Sequence, residues 1–563
     1  MNRDRKWWKE GVVYQIYPRS FQDSNGDGIG DLQGIIQRLD YIKSLGIDIV
    51  WLNPIYTSPN DDNGYDISDY RAIMSDFGTM ADFDILLAGL KARGIRLIMD
   101  LVVNHSSDEH QWFKESRKSR NNPYRDYYHW WPEEKGIPPK RWSYFDVDGN
   151  AWKYDSETKA YYLHYFSVKQ PDLKWENPKL REEIYEMMRF WFNKGVDGFR
   201  MDVISFLSKD PTYPELPKKY KGNFVTYYAD GPKLHDYLQE MNREVLCKFD
   251  CMTVGEAPGV LLEQALQFVD EDRKELDMFF HFDLMSLDRQ EKDPFYMRKD
   301  PWKLTEFKAI FSKWDAVFKD KGWGSLFLNN HDFPRAASRW GNDSEVYWHK
   351  ASTMLQTFLL TMRGTPFFYY GDEIGMTNIG FDDIENYRDI NSLNRFEAAI
   401  KHGEDLKPLI ENEKKAGRDN ARTPMQWDSS SNAGFSTGEP WLKVNRNHTQ
   451  GISVASQERD NDSVLNYFRR MVQIRKAHPG LIYGHYTLLL EENEQVYAYT
   501  RTLKDSRYLI LLSFSTKKTE LKIPLAYSKA KLIISNDKSE MEPVEKHNHF
   551  TLAPYQASVY QLF

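Results

Sequence analysis

The chain has 563 residues, more than one ordinary domain needs and compatible with a large barrel carrying appendages. Its formal charge of −8, from 75 basic against 83 acidic residues, argues against a nucleic-acid binder, which needs a basic face. Apolar residues at 41% exclude global disorder, and the only cysteines, Cys247 and Cys251, exclude a disulfide framework and match no zinc or redox motif.

The opening segment "MNRDRKWWKEGVVYQIYP" is charged and lacks the apolar core of a secretory leader, and no run of about 18 apolar residues suggests a membrane span. A soluble, cytoplasmic protein is expected. Next comes "DSNGDGIGD" (23–31), which spaces oxygen ligands at alternate positions: Asp23, Asn25, Asp27 and then Asp31, with the Ile29 carbonyl between. Gly26 and Gly28 permit a tight backbone, as in calcium loops, although Asn-Gly and Asp-Gly also mark plain turns.

Eight short apolar, β-branched runs read as buried strands: 12–21, 47–56, 95–105, 196–203, 251–257, 278–284, 325–332 and 365–373. They are too apolar for strands with one wet face and suit a parallel sheet covered on both sides. Helices with legible ends lie between them. In "NPKLREEIYEMMRFWFNKG", Asn177 suits the N-cap, Pro178 the first turn and Gly195 the stop. "TMADFDILLAGLKARG" (79–94) repeats the design, with Gly94 as terminator. Eight strands with helical crossovers predict an α/β fold, a (β/α)8 TIM barrel.

Two regions break that rhythm. Residues 105–173 are aromatic and turn-rich, an inserted domain after the third strand, and beyond about residue 480 period-2 alternation predicts an antiparallel β domain. The expected division is barrel 1–104, insertion 105–173, barrel 174–479 and C-terminal domain 480–563.

In such barrels chemistry sits where strands finish. Here the runs end in Asp202, in Glu256 and in His331-Asp332, with Asn104-His105 closing the third. A single acid at such a place reads as a loop acid or helix cap, but three on separate apolar runs need compensation for burial. Paired carboxyls are what glycoside hydrolysis uses: one attacks the anomeric carbon and the other protonates the leaving oxygen. Arg200 would face the same way as Asp202 and favour its ionised form, while Glu256 would need a raised pKa. Aromatics at 15%, including 17 Trp and 34 Tyr, serve cores first and can also line a sugar cleft.

The ordered stretches "GYDISDY", "DLVVNH", "GFRMDV", "VGEA" and "NNHD" resemble the signature of the α-amylase family, glycoside hydrolase family thirteen. "WWKEGVVYQIYPRSF", "QPDLKWENP" and "GRDNARTPMQWD" are similar to its oligo-1,6-glucosidase and α-glucosidase branch. The resemblance implies that Asp202 is the nucleophile, Glu256 the general acid/base and Asp332 the residue that steadies the distorted ring. It implies a glucose pocket completed by Tyr65, Asp66, His105, Arg200, His331 and Arg418, lined by Phe166, with Asp66 and Arg418 gripping hydroxyls at its closed end. The implied enzyme is exo-acting and works on small oligosaccharides; a monomer is expected. The 23–31 loop also resembles that branch's structural Ca²⁺ loop.

Linkage preference rests on fewer residues. In similar enzymes a valine after the nucleophile, here Val203, goes with α-1,6 cleavage. Phe333 stands where glutamine is frequent, Ala257 is smaller than the usual Met or Ile, and "SYFDVDGNAW" (143–152) lacks the usual Gly-Gly-Ser. "SLDRQ", within 282–304, partly resembles a loop of sucrose isomerases in Leu287, Asp288 and Arg289. The expected activity is a retaining α-glucosidase preferring α-1,6 bonds; the alternative is a sucrose-active transglucosylase or isomerase. A noncatalytic scaffold has no need of three intact acids, and no dedicated phosphate site points to trehalose 6-phosphate.

Overall fold

The structure is a computed structural model that describes residues 5–146, 149–217, 224–229, 231–291, 293–538 and 548–563. Eight parallel strands form one sheet: β1 (Val13–Ile16), β2 (Ile49–Leu52), β3 (Arg96–Leu101), β4 (Gly198–Met201), β5 (Met252–Glu256), β6 (Met278–Phe280), β7 (Ser325–Leu326) and β8 (Thr365–Tyr369). Their order is β6-β5-β4-β3-β2-β1-β8-β7. The two end strands meet without a backbone ladder; instead the Ser325 hydroxyl donates to the Phe279 carbonyl at 2.8 Å, bringing β7 onto β6. This is the (β/α)8 barrel, and every residue of β1, β2, β4, β5, β6, β7 and β8 is buried, as strands covered on both faces must be.

The strands are shorter than the apolar runs that announce them. The run 325–332 contributes only Ser325–Leu326 to β7, and 196–203 only Gly198–Met201 to β4. The C-terminal parts of these runs leave the ladder and turn into loops, which is why their acids stand at the barrel mouth rather than within it.

The two helices read from sequence form as their caps require. α1 (Met80–Ala92) starts on a reciprocal capping box between Thr79 and Asp82. α2 (Pro178–Lys194) is capped by the Asn177 side chain and stopped by Gly195 at φ 108°, a conformation that a side chain disfavours.

Within the insertion, Trp130–Pro132, Ala160–Leu163 and Trp152–Asp155 make a three-stranded antiparallel sheet. Its end returns to the barrel through a bridge between His105 and Asp172 and a bond from Leu173 N to the Asn104 carbonyl (2.8 Å). The C-terminal part is a five-stranded antiparallel sheet of His485–Leu489, Val496–Leu503, Ser506–Ser513, Ala557–Leu562 and Ala530–Ser535, in that order. A separate pair, Thr519–Lys522 with His549–Leu552, covers a second small core. Among the described residues, no helix is long and apolar enough to cross a membrane.

Candidate active site

Strand register places the acids. Arg200 on β4 lies opposite Asp100 on β3 and opposite Val254 on β5. Residues two apart share a face, so Asp202 and Glu256, each two beyond this row, emerge side by side at the ends of neighbouring strands. The Arg200 guanidinium, fully buried, gathers three carboxyls. Its Nη1 donates to Asp100 Oδ1 and to Asp202 Oδ1, both at 2.6 Å, and Nη2 lies 2.8 Å from Glu256 Oε2.

Val203 completes this contact set with its backbone. Its N–H donates to Glu256 Oε2 at 3.0 Å, and to aim it there the residue adopts φ 34°, ψ 43°. That left-handed conformation is a true outlier for a β-branched residue, with a strain of about 1–3 kcal/mol. The chain turns here because the strand has just ended and Asp202 must stay on the inward face.

Protonation follows from this geometry. Burial pushes both Asp202 and Glu256 up and Arg200 opposes the shift in each; Glu256 and Asp100 add to the rise at Asp202, and Asp332 to the rise at Glu256. Two acids so close titrate as a pair. Arg200 Nη1 supports the ionised form of Asp202, and Arg200 Nη2 together with the Val203 N–H supports that of Glu256, so the pair shares its stabilisation through one guanidinium.

Asp332 has the opposite environment. Burial alone would raise its pKa, but His331, Arg418 and Arg422 hold it well below the usual carboxylate range. Arg418 Nη1 and Arg422 Nη2 both donate to Oδ1 at 3.0 Å. His331 Nε2 faces Oδ2 at 3.1 Å, while its Nδ1 accepts from Gln15 Nε2 at 2.9 Å. Ionised Asp332 can only accept, so the ring carries its proton on Nε2 and leaves Nδ1 to accept from Gln15. Burial lowers the His331 pKa to about 4, so the ring is neutral at pH 7. Tyr65 stacks on it, ring centroids 5.1 Å apart and 6° from parallel.

Arg418 reaches further, with Nε donating to Asp389 Oδ1 (2.6 Å) and Nη2 to Asp62 Oδ1 (3.2 Å). Burial raises the Asp62 pKa to about 7 against the pull of Arg418. Here the structure departs from expectation. Asp66 does not face Arg418: its carboxylate accepts from Ser58 Oγ and from the backbone N–H groups of Asp61 and Asp62, so it braces the turn that presents Asp62. The acid opposite Arg418 is Asp62, one of several in "NDDNGYD", and sequence alone offers no way to choose among them.

The remaining wall is aromatic and amide-lined. His105 packs on Phe166 (5.0 Å), and Phe166 stacks on Tyr144 (5.0 Å, 11°). Gln170 Nε2 donates to Asp62 Oδ2 at 3.1 Å and lies 3.3 Å from His105 Nε2. Phe333 meets Phe282 edge-on at 5.9 Å with Arg339 over its ring (5.3 Å), while Ala257 is buried beside Glu256. In the 282–304 loop, Asp288 is clasped by Arg339 at 2.6 and 2.8 Å. Residues 147 and 148 of the 143–152 stretch, and residue 292 of that loop, lie outside the described residues. Asp62, Asp100, Gln170, Asp389 and Arg422 were not singled out from sequence; Asp100 had a signal, an acid within the otherwise apolar "LIMDLVV".

The 23–31 loop folds as successive side-chain turns. Asp23 Oδ1 accepts from the N–H groups of Asn25 and Gly26, Asn25 Oδ1 from Asp27 N and Asp27 Oδ1 from Ile29 N, all at 2.8–2.9 Å. Asp23 Oδ2 accepts from Gly28 N and Ser436 Oγ, while Asp31 accepts from Ser24 and Gly34. The oxygen-only donor set suits calcium. Among the described residues, however, no three Asp, Glu, His or Cys side chains converge as a metal cluster.

A parallel barrel whose mouth holds two neighbouring buried carboxyls has the paired acids that glycoside hydrolases use. Residues 15–484 match the alpha amylase catalytic domain and 486–559 the maltogenic amylase C-terminal domain. The chain belongs to the alpha-amylase family. It is 52% identical to the oligo-1,6-glucosidase of Parageobacillus thermoglucosidasius over 99% of both chains, and 49% identical to that of Bacillus cereus over 99% of this chain and 100% of that one. Among solved structures it is similar to the isomaltulose synthase SmuA from Protaminobacter rubrum, with a TM-score of 0.96 and 45% identity over 99% of this chain and 100% of that one.

Proposed function

We propose that the protein is a retaining, exo-acting α-glucosidase that releases glucose from short α-glucosides, preferring α-1,6 bonds as in isomaltose and panose. The observation that carries this is the sharing of Arg200 by Asp202 and Glu256, which brings together the two carboxyls that a retaining mechanism uses. Asp202 attacks the anomeric carbon and Glu256 gives its proton to the departing oxygen. Water, deprotonated by the same Glu256, then releases glucose from Asp202. Arg418, Asp62 and Asp332 close the far end of the pocket, which supports cleavage of a terminal sugar only. Asp332, ionised and tied to His331, is set to accept hydroxyls of the distorted ring.

The α-1,6 preference is supported by Val203 beside Asp202 and by the oligo-1,6-glucosidases among the relatives. The second reading, sucrose isomerisation, is favoured by the similarity to isomaltulose synthase SmuA and by the Phe282–Phe333 pair on the leaving-group side. A sugar that outcompetes water for the intermediate gives transfer with the same three acids. The deciding experiment incubates the enzyme with isomaltose, maltose, sucrose, trehalose and trehalose 6-phosphate and resolves the products. Glucose from isomaltose in preference to maltose supports the leading reading; isomaltulose or trehalulose as the main product from sucrose replaces it with the second.

We also infer a structural calcium ion held by Asp23, Asn25, Asp27, Asp31 and the Ile29 carbonyl. Such an ion competes with the Ser436 hydroxyl for Asp23 and takes no part in chemistry. Both cysteines are unpaired, as a reducing compartment leaves them, which supports a cytoplasmic enzyme.

A further inference from the structure

Lys209 is a buried cation that the steps above do not use. It lies seven residues beyond Asp202 on the same loop, with its side chain only 2% exposed. Its ammonium donates to Asn104 Oδ1 at 2.6 Å and pairs with Asp172 Oδ2 at 3.1 Å, beneath the Tyr165 ring (5.2 Å to the centroid). These partners come from two other segments. Asn104 closes the third barrel run and touches the next residue, His105, through Nδ2 to Nδ1 at 3.1 Å. Asp172 ends the insertion, two residues after Gln170, whose amide holds Asp62 and faces His105.

We infer that Lys209 is a positioning residue that fixes the loop carrying Asp202 in register with the His105–Gln170–Asp62 wall of the sugar pocket. One ammonium with three donors ties three segments at a single point. A neutral, unbranched side chain such as methionine fills most of the space and makes none of these bonds. It also leaves the Asp172 carboxylate buried without its countercharge. Lys209 reaches the pocket residues through Asn104 and Asp172, so its loss moves the sugar relative to Asp202 without removing any group that grips it. A displacement of about 1 Å at a reacting centre costs up to about 100-fold in rate.

The inference rests on the glucosidase reading, and the test separates the two. Wild type, Lys209→Met, Asp172→Asn and the double variant are compared on p-nitrophenyl α-glucoside, with thermal melting alongside. Lys209→Met is expected to lose both melting temperature and about 10- to 100-fold in kcat. The double variant removes the uncompensated carboxylate, so its melting temperature recovers while kcat stays low and KM changes little. Should Lys209→Met fail to fold, the double variant carries the comparison. Recovery of kcat together with melting temperature in the double variant overturns the inference and leaves Lys209 a purely structural ion pair. Wild type inert toward this substrate overturns the glucosidase reading itself.

Discussion

Replacing Arg200 by lysine keeps the positive charge and removes the fork. The guanidinium serves Asp100 and Asp202 from Nη1 and Glu256 from Nη2, two nitrogens on one rigid plane. A lysine nitrogen is a single point on a shorter stem and cannot span these acids. The fully buried Asp100 sits lowest on the sheet and is the partner lysine keeps, so the bond to Asp202 and the pairing with Glu256 are both lost. Hydrogen bonds to charged groups contribute about 1.5–3 kcal/mol each, so two lost contacts cost about 3–6 kcal/mol. That corresponds to a fall of about 10²–10⁴ in kcat/KM. The pH profile carries a second signature. Arg200 opposes the rise that burial imposes on the Asp202 pKa, and withdrawing its support for the ionised form raises that pKa further. Asp202 acts ionised, so the acid limb of kcat/KM moves to higher pH. The assay is kcat/KM on an aryl α-glucoside across pH, with circular dichroism to establish folding. A folded Arg200→Lys enzyme with an unmoved acid limb would refute the account of how Asp202 is kept charged.

Asp62→Asn removes the carboxylate opposite Arg418 and should lower kcat/KM by about 10- to 100-fold through loss of a charge-assisted contact. Asp66→Asn should instead reduce thermal stability with smaller kinetic effects, and the reverse pattern would restore Asp66 to the pocket. Val203→Ala should raise activity on maltose relative to isomaltose several-fold, within the limit of about 10- to 200-fold that one small apolar group can impose. An unchanged ratio strips Val203 of any role in linkage choice. Removing calcium with a chelator should lower the melting temperature by a few degrees, since a saturating ligand of the native state contributes about 2.7 kcal/mol at a hundred times its Kd. A constant melting temperature with metal verifiably absent ends the calcium proposal.

Much of the architecture is written locally. Alternation of β-branched runs with capped helices, such as Asn177 to Gly195, is enough to specify a parallel sheet covered on both faces, because such burial demands continuous apolar strands, and eight of them predict a barrel. Placing Asp202, Glu256 and Asp332 at run ends follows from the same logic, since an acid inside a ladder needs a buried partner, as Asp100 has in Arg200. What the sequence leaves open is decided by register and by loops. Asp100 meets Arg200 only because β3 pairs with β4 in one alignment out of several. Asp62 rather than Asp66 faces Arg418 because the turn consumes Asp66 in holding its own backbone, an outcome decided by hydrogen-bond geometry within a few residues. Val203 reads as an ordinary strand valine, and its left-handed turn exists because Glu256, on another strand, needs its N–H. Charged and polar side chains find partners far apart in the chain, and no periodicity encodes those pairings; the packed barrel mouth does.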